Sequence, residues 1–219
     1  MEIINFKSQP KNNFFAPEWD YYMAEDFIVD IDFNDLTKFL LNKKEEILKI
    51  PHTIRLNKIS DGYTGLGEKS TTARSSNYNI FNWDNENIYK LKNNILITHK
   101  KFLTFLKQEL PKELYIQSWV NIMDKGQKIN MHLHDMSADT YLGGHICVQS
   151  DNTSTYYVNP INQINDPETF KSENKVGKIT LFQNNIPHYC DKHKSDKKRI
   201  TIAFDLSLKK ITENFIKIL

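Results

Sequence analysis

The hydrophobic positions change period twice along this chain. Residues 1–33 show no steady period, and their aromatics (Phe14, Phe15, Trp19, Tyr21, Tyr22) predict an irregular arm packed on the body. Apolar residues then recur at helical spacing (Leu36, Phe39, Leu40, Ile47, Leu48), with Asp35 placed to cap the helix and Pro51 to stop it. A second helix is predicted over about 85–109, with Ile88, Leu91, Ile95, Phe102, Leu103 and Leu106 on one face and Pro111 as terminator. Between the helices, 59–80 holds three of the seven glycines and a Ser/Thr cluster, which predicts a long loop, either a lid or a surface excursion.

From residue 114 the period falls to two. Leu114, Ile116, Val120 and Ile122 oppose Tyr115, Gln117, Trp119 and Asn121, and over 140–149 Leu142, Ile146 and Val148 oppose Tyr141, Gly143, His145 and Gln149. Residues 178–182 and 199–206 are also strand-like, with Ile200, Ile202 and Phe204 facing away from Arg199, Thr201 and Ala203. Helices first and strands after is the α+β pattern. One apolar and one polar, aromatic sheet face predict helices outside and a pocket inside. The tail 208–219 reads as a short amphipathic helix with Ile211, Phe215, Ile216 and Leu219 on one face, to pack on the body or on a second subunit, so a homodimer stays open. One domain is expected over 1–219: helical support and loop over 1–112, a strand core over 113–206 and a C-terminal helix over 207–219.

Composition narrows the class. Hydrophobic residues at 39% supply a packed core, and 29 basic against 27 acidic residues leave a net charge of +2, which disfavours a nucleic-acid partner. The run Lys192, Lys194, Lys197, Lys198, Arg199 is locally basic and reads first as a solvated loop. Two cysteines are too few for a disulfide framework. The N-terminus lacks a signal-peptide core, and no apolar stretch approaches a membrane span of ~18 residues. The expected location is cytoplasmic, with no membrane partner.

Five of the seven histidines fall between 132 and 193. His132 and His134 are two apart, so on a strand both imidazoles project from one face, as a metal requires. His188, after the strand-like KITLFQ and a turn ending in Pro187, can bring the third ligand. The usual iron(II) oxygenase site uses two histidines and a carboxylate. Here the text is His132-Leu133-His134-Asp135, so either His134 or Asp135 can complete the triad. His145 shares the inward face in a lining role. Arg199 opens the last apolar strand 11 residues after His188, and Thr201 follows on its face. A planar guanidinium with a nearby hydroxyl suits a carboxylate.

The segments 118–137, 140–149, 176–190 and 198–206 together resemble the 2-oxoglutarate- and Fe(II)-dependent oxygenases, in particular bacterial and marine-phage members with Trp-x-Asn, Gly, His-x-His, Gly-x-x-x-x-Phe, His and Arg-x-Ser/Thr. The resemblance implies a double-stranded β-helix (jelly-roll) core with the N-terminal helices on its outer face. It implies Fe(II) on His132, His188 and His134 or Asp135, and Arg199 with Thr201 on the distal carboxylate of 2-oxoglutarate. Trp119, Asn121 and Tyr141 would line the pocket, with Asn121 and Tyr141 able to meet the co-substrate's other oxygens. The implied partners are 2-oxoglutarate, O2 and an unidentified substrate whose C–H is hydroxylated with release of succinate and CO2.

Three other readings share these residues. Gly126 followed by His132-Leu133-His134 fits half of a cupin signature, though a cupin dioxygenase or isomerase would not need Arg199. Cys190 and His193, three apart, can join His132 and His134 in a structural zinc site. A phage structural or carbohydrate-binding sandwich with idle histidines is the third.

Overall fold

The computed structural model describes residues 1–7, 18–134, 137–159 and 169–219. Two α-helices, two short 3-10 helices (Thr72–Asn77 and Ile80–Asn82) and thirteen strands are built from them. The strands are β1 (Glu2–Lys7), β2 (Asp20–Phe27), β3 (Ile54–Arg55), β4 (Lys58–Ile59), β5 (Tyr115–Met123), β6 (Ile129–His132), β7 (Thr140–Gln149), β8 (Ser154–Val158), β9 (Thr169–Glu173), β10 (Lys178–Gln183), β11 (His188–Cys190), β12 (Arg199–Ser207) and β13 (Ile216–Lys217); the α-helices are α1 (Phe33–Lys49) and α2 (Glu86–Phe105). A seven-stranded sheet runs β1-β2-β10-β7-β12-β5-β13, a four-stranded sheet runs β6-β11-β8-β9, and β3-β4 form a small hairpin. The strand pairings are antiparallel throughout.

Period-2 alternation decides what the large sheet does with its two faces. From β12, Ile200, Ile202, Phe204 and Leu206 join Ile116, Val120 and Ile146 in one buried cluster with Leu36, Leu40 and Ile47 of α1 and Ile88, Leu91, Ile95 and Phe102 of α2. Each such burial stabilises by about 1.5–3 kcal/mol, and Leu40→Ala at a site with no exposure should cost about 2–5 kcal/mol. The opposite face packs towards the small sheet through Met23, Phe182 and Tyr157.

The helix ends differ from their predicted positions. The N-cap of α1 is Asp32, whose carboxylate accepts from the amides of Asn34 and Asp35. Asp35 instead accepts from Asn87 Nδ2 (2.9 Å) and ties the two helices together. Helix α2 stops at Phe105, short of 109, because Lys107 turns left-handed (φ 55°) and Gln108 N–H bonds back to Leu103 O at 2.9 Å.

Both ends of the chain correct the sequence reading. Where an irregular arm was expected, β1 and β2 extend the large sheet; Phe14 and Phe15 lie outside the described residues. Both faces of β2 are buried (Tyr21 and Met23 on one, Ala24 on the other), which removes the polar–apolar alternation that reveals a strand. The expected C-terminal helix over 207–219 is absent. Residues 216–217 form β13 on the edge of β5, and Ile218 N–H bonds Leu114 O at 2.8 Å. An isolated 12-residue helix is marginal in water, whereas an open sheet edge offers the tail a row of unpaired backbone groups.

The segment 59–80 is a wall of the body. Thr71, Thr72, Ala73 and Arg74 are buried, and Thr71 Oγ1 donates to Val120 O at 2.6 Å.

Candidate metal centre and anion site

Between the two sheets lies a cleft enclosing about 1140 Å³ of empty space, solvent at its mouth included. Its floor is the face of the large sheet opposite the helices: Gln117, Trp119 and Asn121 from β5, His145 from β7, and Arg199, Thr201, Ala203 and Asp205 from β12. Histidines 132, 134 and 188 line the same cleft.

His132 ends β6 and pairs directly with His188 of β11, which sets their rings 4.4 Å apart. His134 lies just beyond β6, yet its ring reaches within 5.0 Å of His188 and 5.9 Å of His132. Among the described residues these three form the group of His, Cys, Asp or Glu able to share an ion, with their donor atoms all within 4.8 Å of one another. Asp135 lies outside the described residues.

Hydrogen bonds fix how the rings are presented. His132 Nδ1 faces the carbonyl of Asn130 at 2.9 Å, His188 Nδ1 faces that of Ile186 at 3.1 Å, and His134 Nδ1 meets Asp205 Oδ1 at 2.5 Å. A carbonyl only accepts, so Nδ1 of His132 and His188 carries the proton and Nε2 keeps its lone pair. Burial, reinforced by the neighbouring histidines, pushes His132 down to about 4 and holds His188 well below the usual imidazole range. Both are therefore neutral at pH 7, the state a metal binds.

Arg199 is 2% exposed, and its Nε has no partner. Its one protein hydrogen bond among the described residues runs from Nη1 to the Met123 sulfur at 3.2 Å, and no carboxylate pairs with it. A buried guanidinium without a counter-ion costs several kcal/mol, a cost that an anion in the cleft would offset. Thr201, two residues on, is 2% exposed and faces the same space. Asn121 Oδ1 accepts from Thr72 Oγ1 at 2.7 Å, which leaves its amide nitrogen to donate into the cleft.

Tyr141 does not join them. The register of β7 against β12 slips between Leu206 and Ser207, so Tyr141 is the extra residue of a bulge. Its hydroxyl is turned to His99 on α2, away from the cleft. His145 lines the cleft beside the Tyr157 hydroxyl (3.3 Å), and burial pushes it down to about 3. Nor do Cys190 and His193 form a zinc set: among the described residues neither belongs to the group of side chains close enough to share an ion. Sequence reasoning missed Asp205 and Tyr157. Asp205 was accessible by strand parity, since it shares the inward phase of Arg199, Thr201 and Ala203.

Three imidazoles converge beside a buried arginine that has no carboxylate partner among the described residues, a candidate metal centre with an adjoining candidate anion site in an antiparallel two-sheet fold. Residues 117–205, less than half of the chain, match the family model described as "Putative 2OG-Fe(II) oxygenase". That match and the three-histidine group support an enzyme of the 2-oxoglutarate-dependent dioxygenase type, with Fe(II) and 2-oxoglutarate as the cofactors the matched family implies. The fold is shared with a prolyl-4-hydroxylase from Pseudomonas putida (TM-score 0.52, 10% identity, 84% of this chain and 91% of that one). It is also shared with a Trichoplax adhaerens prolyl hydroxylase crystallised with a hypoxia-inducible-factor peptide (TM-score 0.54, 10% identity, 86% and 84%). A third is the viral collagen prolyl hydroxylase of Paramecium bursaria Chlorella virus-1 in its 2OG complex (TM-score 0.50, 13% identity, 85% and 96%). No curated protein matches the sequence. No helix among the described residues is long and apolar enough to cross a membrane.

Proposed function

We propose that the chain hydroxylates an unactivated C–H bond of a small molecule or peptide side chain, with His132, His134 and His188 holding the iron and Arg199 anchoring 2-oxoglutarate. The two sheets are read as the halves of a jelly roll, with the cleft at the mouth between them. The observation that carries the reading is Arg199: a buried cation with no counter-ion among the described residues, in the same cleft as three imidazoles close enough to share an ion.

When bound, the iron would supply oxygen activation coupled to decarboxylation of 2-oxoglutarate to succinate and CO2. The rest falls to the chain's own residues. Arg199 and Thr201 receive the distal carboxylate by charge-assisted hydrogen bonds. Asn121, held by Thr72, donates its amide to a further oxygen of the co-substrate. Trp119, Leu133, Ile211 and Phe215 give the cleft apolar wall that keeps water from the reacting centre, and Arg55 and Asp61 add charge at its lining. The free, buried Cys147 and Cys190 suit a reducing compartment, so the cytoplasm is the proposed location.

The test is succinate release from 2-oxoglutarate by anaerobically purified protein after addition of Fe(II) and oxygen. Metal-dependent turnover without added substrate is expected for the wild type, and His188→Ala and Arg199→Ala should abolish it. No turnover in the wild type, or stoichiometric and tightly held zinc, would overturn the proposal.

A further inference from the structure

The three imidazoles are not equivalent. Two are oriented by neutral acceptors, the carbonyls of Asn130 and Ile186, and the third by a carboxylate, Asp205. The common iron(II) triad carries one carboxylate on the metal, whereas three imidazoles bring no negative charge. We infer that Asp205 is a positioning residue that returns this charge to the metal through the His134 ring. The inference rests on the proposed iron site.

Two features show that the pair is built into the fold. Asp205 is buried, and among the described residues its ion-pair partner is His134. Directly across the ladder from Asp205 stands Gly143. A Cβ there would lie 2.7 Å from His134 Nδ1 and 3.0 Å from Phe182, so the glycine opens the slot through which the ring reaches the carboxylate. Phe182 meets the His134 ring edge-on at 5.1 Å and Trp119 lies at 5.7 Å, which holds the ring in that slot. A carboxylate on the distal N–H of a ligating histidine fixes its tautomer and raises its basicity, and losing such a partner typically costs about 10–100-fold in metal affinity.

The experiment is an anaerobic Co(II) titration of metal-free protein, read by ligand-field absorption, with the Fe(III)/Fe(II) midpoint potential measured alongside. Asp205→Asn, which keeps size and an acceptor oxygen but removes the charge, should weaken Co(II) binding about 10–100-fold and raise the potential. In a His134→Asp background, where no ring links Asp205 to the metal, the same change should move Co(II) affinity by much less, so His134→Asp/Asp205→Asn should bind Co(II) about as well as His134→Asp alone. Unchanged affinity and potential in Asp205→Asn, or an equal loss in both backgrounds, would overturn the inference. Should Asp205→Asn fail to fold, the comparison within the His134→Asp background still decides. A wild type whose Co(II) affinity is indifferent to His132→Ala and His188→Ala would instead overturn the iron site itself, and this inference with it.

Discussion

Replacing Arg199 by methionine should separate what this residue does for the ligand from what it does to the fold. The guanidinium is 2% exposed, and among the described residues its Nε is orphaned and Nη1 reaches only the Met123 sulfur. Leaving such a group unsatisfied costs about 1–3 kcal/mol, a cost that ends when a carboxylate arrives. A bidentate carboxylate pair contributes two charge-assisted hydrogen bonds of about 1.5–3 kcal/mol each. Taking the low end, about 3 kcal/mol, Arg199→Met should weaken 2-oxoglutarate binding by roughly two orders of magnitude. Free of ligand, the same variant should unfold no more easily than the wild type, and up to a few degrees higher, since 1 kcal/mol corresponds to about 2–4 °C for a chain of this size. The assay is thermal unfolding of metal-loaded protein over a 2-oxoglutarate titration, paired with calorimetric binding. The wild-type transition should climb with ligand while that of Arg199→Met stays flat. Wild-type affinity in the variant, or a ligand-free variant several kcal/mol less stable, would refute the view that Arg199 is an unpaired charge awaiting an anion.

Gly143→Ala should lower both stability, by about 1–3 kcal/mol for an overpacked site, and Co(II) affinity, by displacing His134 from the slot where a Cβ would lie 2.7 Å from its ring; denaturant unfolding and metal titration read the two effects. The buried pair Lys178–Glu25 (3.2 Å, with Ser172) sits between β10, β2 and β9; Glu25→Ala should destabilise by about 3–5 kcal/mol, while changing both residues to methionine should cost far less, by urea unfolding. Burial pushes His99 down to about 4 from an ordinary 6.5. The unfolded chain therefore binds the extra proton first, so this contribution, roughly 3 kcal/mol, is full above pH 6.5 and is lost as pH falls through 4. His99→Gln should flatten the stability profile across that window, and an unchanged slope would contradict the assignment.

The sequence disclosed the parts of the fold whose two faces differ. β7 and β12 were legible because Ile146, Ile200, Ile202 and Phe204 meet the helices while His145, Arg199 and Thr201 meet the cleft. His132 and His188 were legible as a pair from strand phase and spacing. β2 was not, because residues on both of its faces are buried, and β13 was not, because its apolar residues fit a helix until an open edge of β5 is known. Tyr141 was misassigned for a local reason: the bulge against Ser207 breaks the parity on which its placement depended. Asp205 carried the right parity and went unread, because an acid near a strand end has an ordinary surface explanation until its partner is seen.

The most direct test of the account is a crystal structure grown anaerobically with Mn(II) and 2-oxoglutarate, the metal located by anomalous scattering. One ion is expected on the Nε2 atoms of His132, His134 and His188, with the distal carboxylate of 2-oxoglutarate on Arg199 and Thr201. Asp135 on the metal in place of His134 would keep the proposed activity and overturn the role given to Asp205. An ion elsewhere, or 2-oxoglutarate bound away from Arg199, would contradict the central claim.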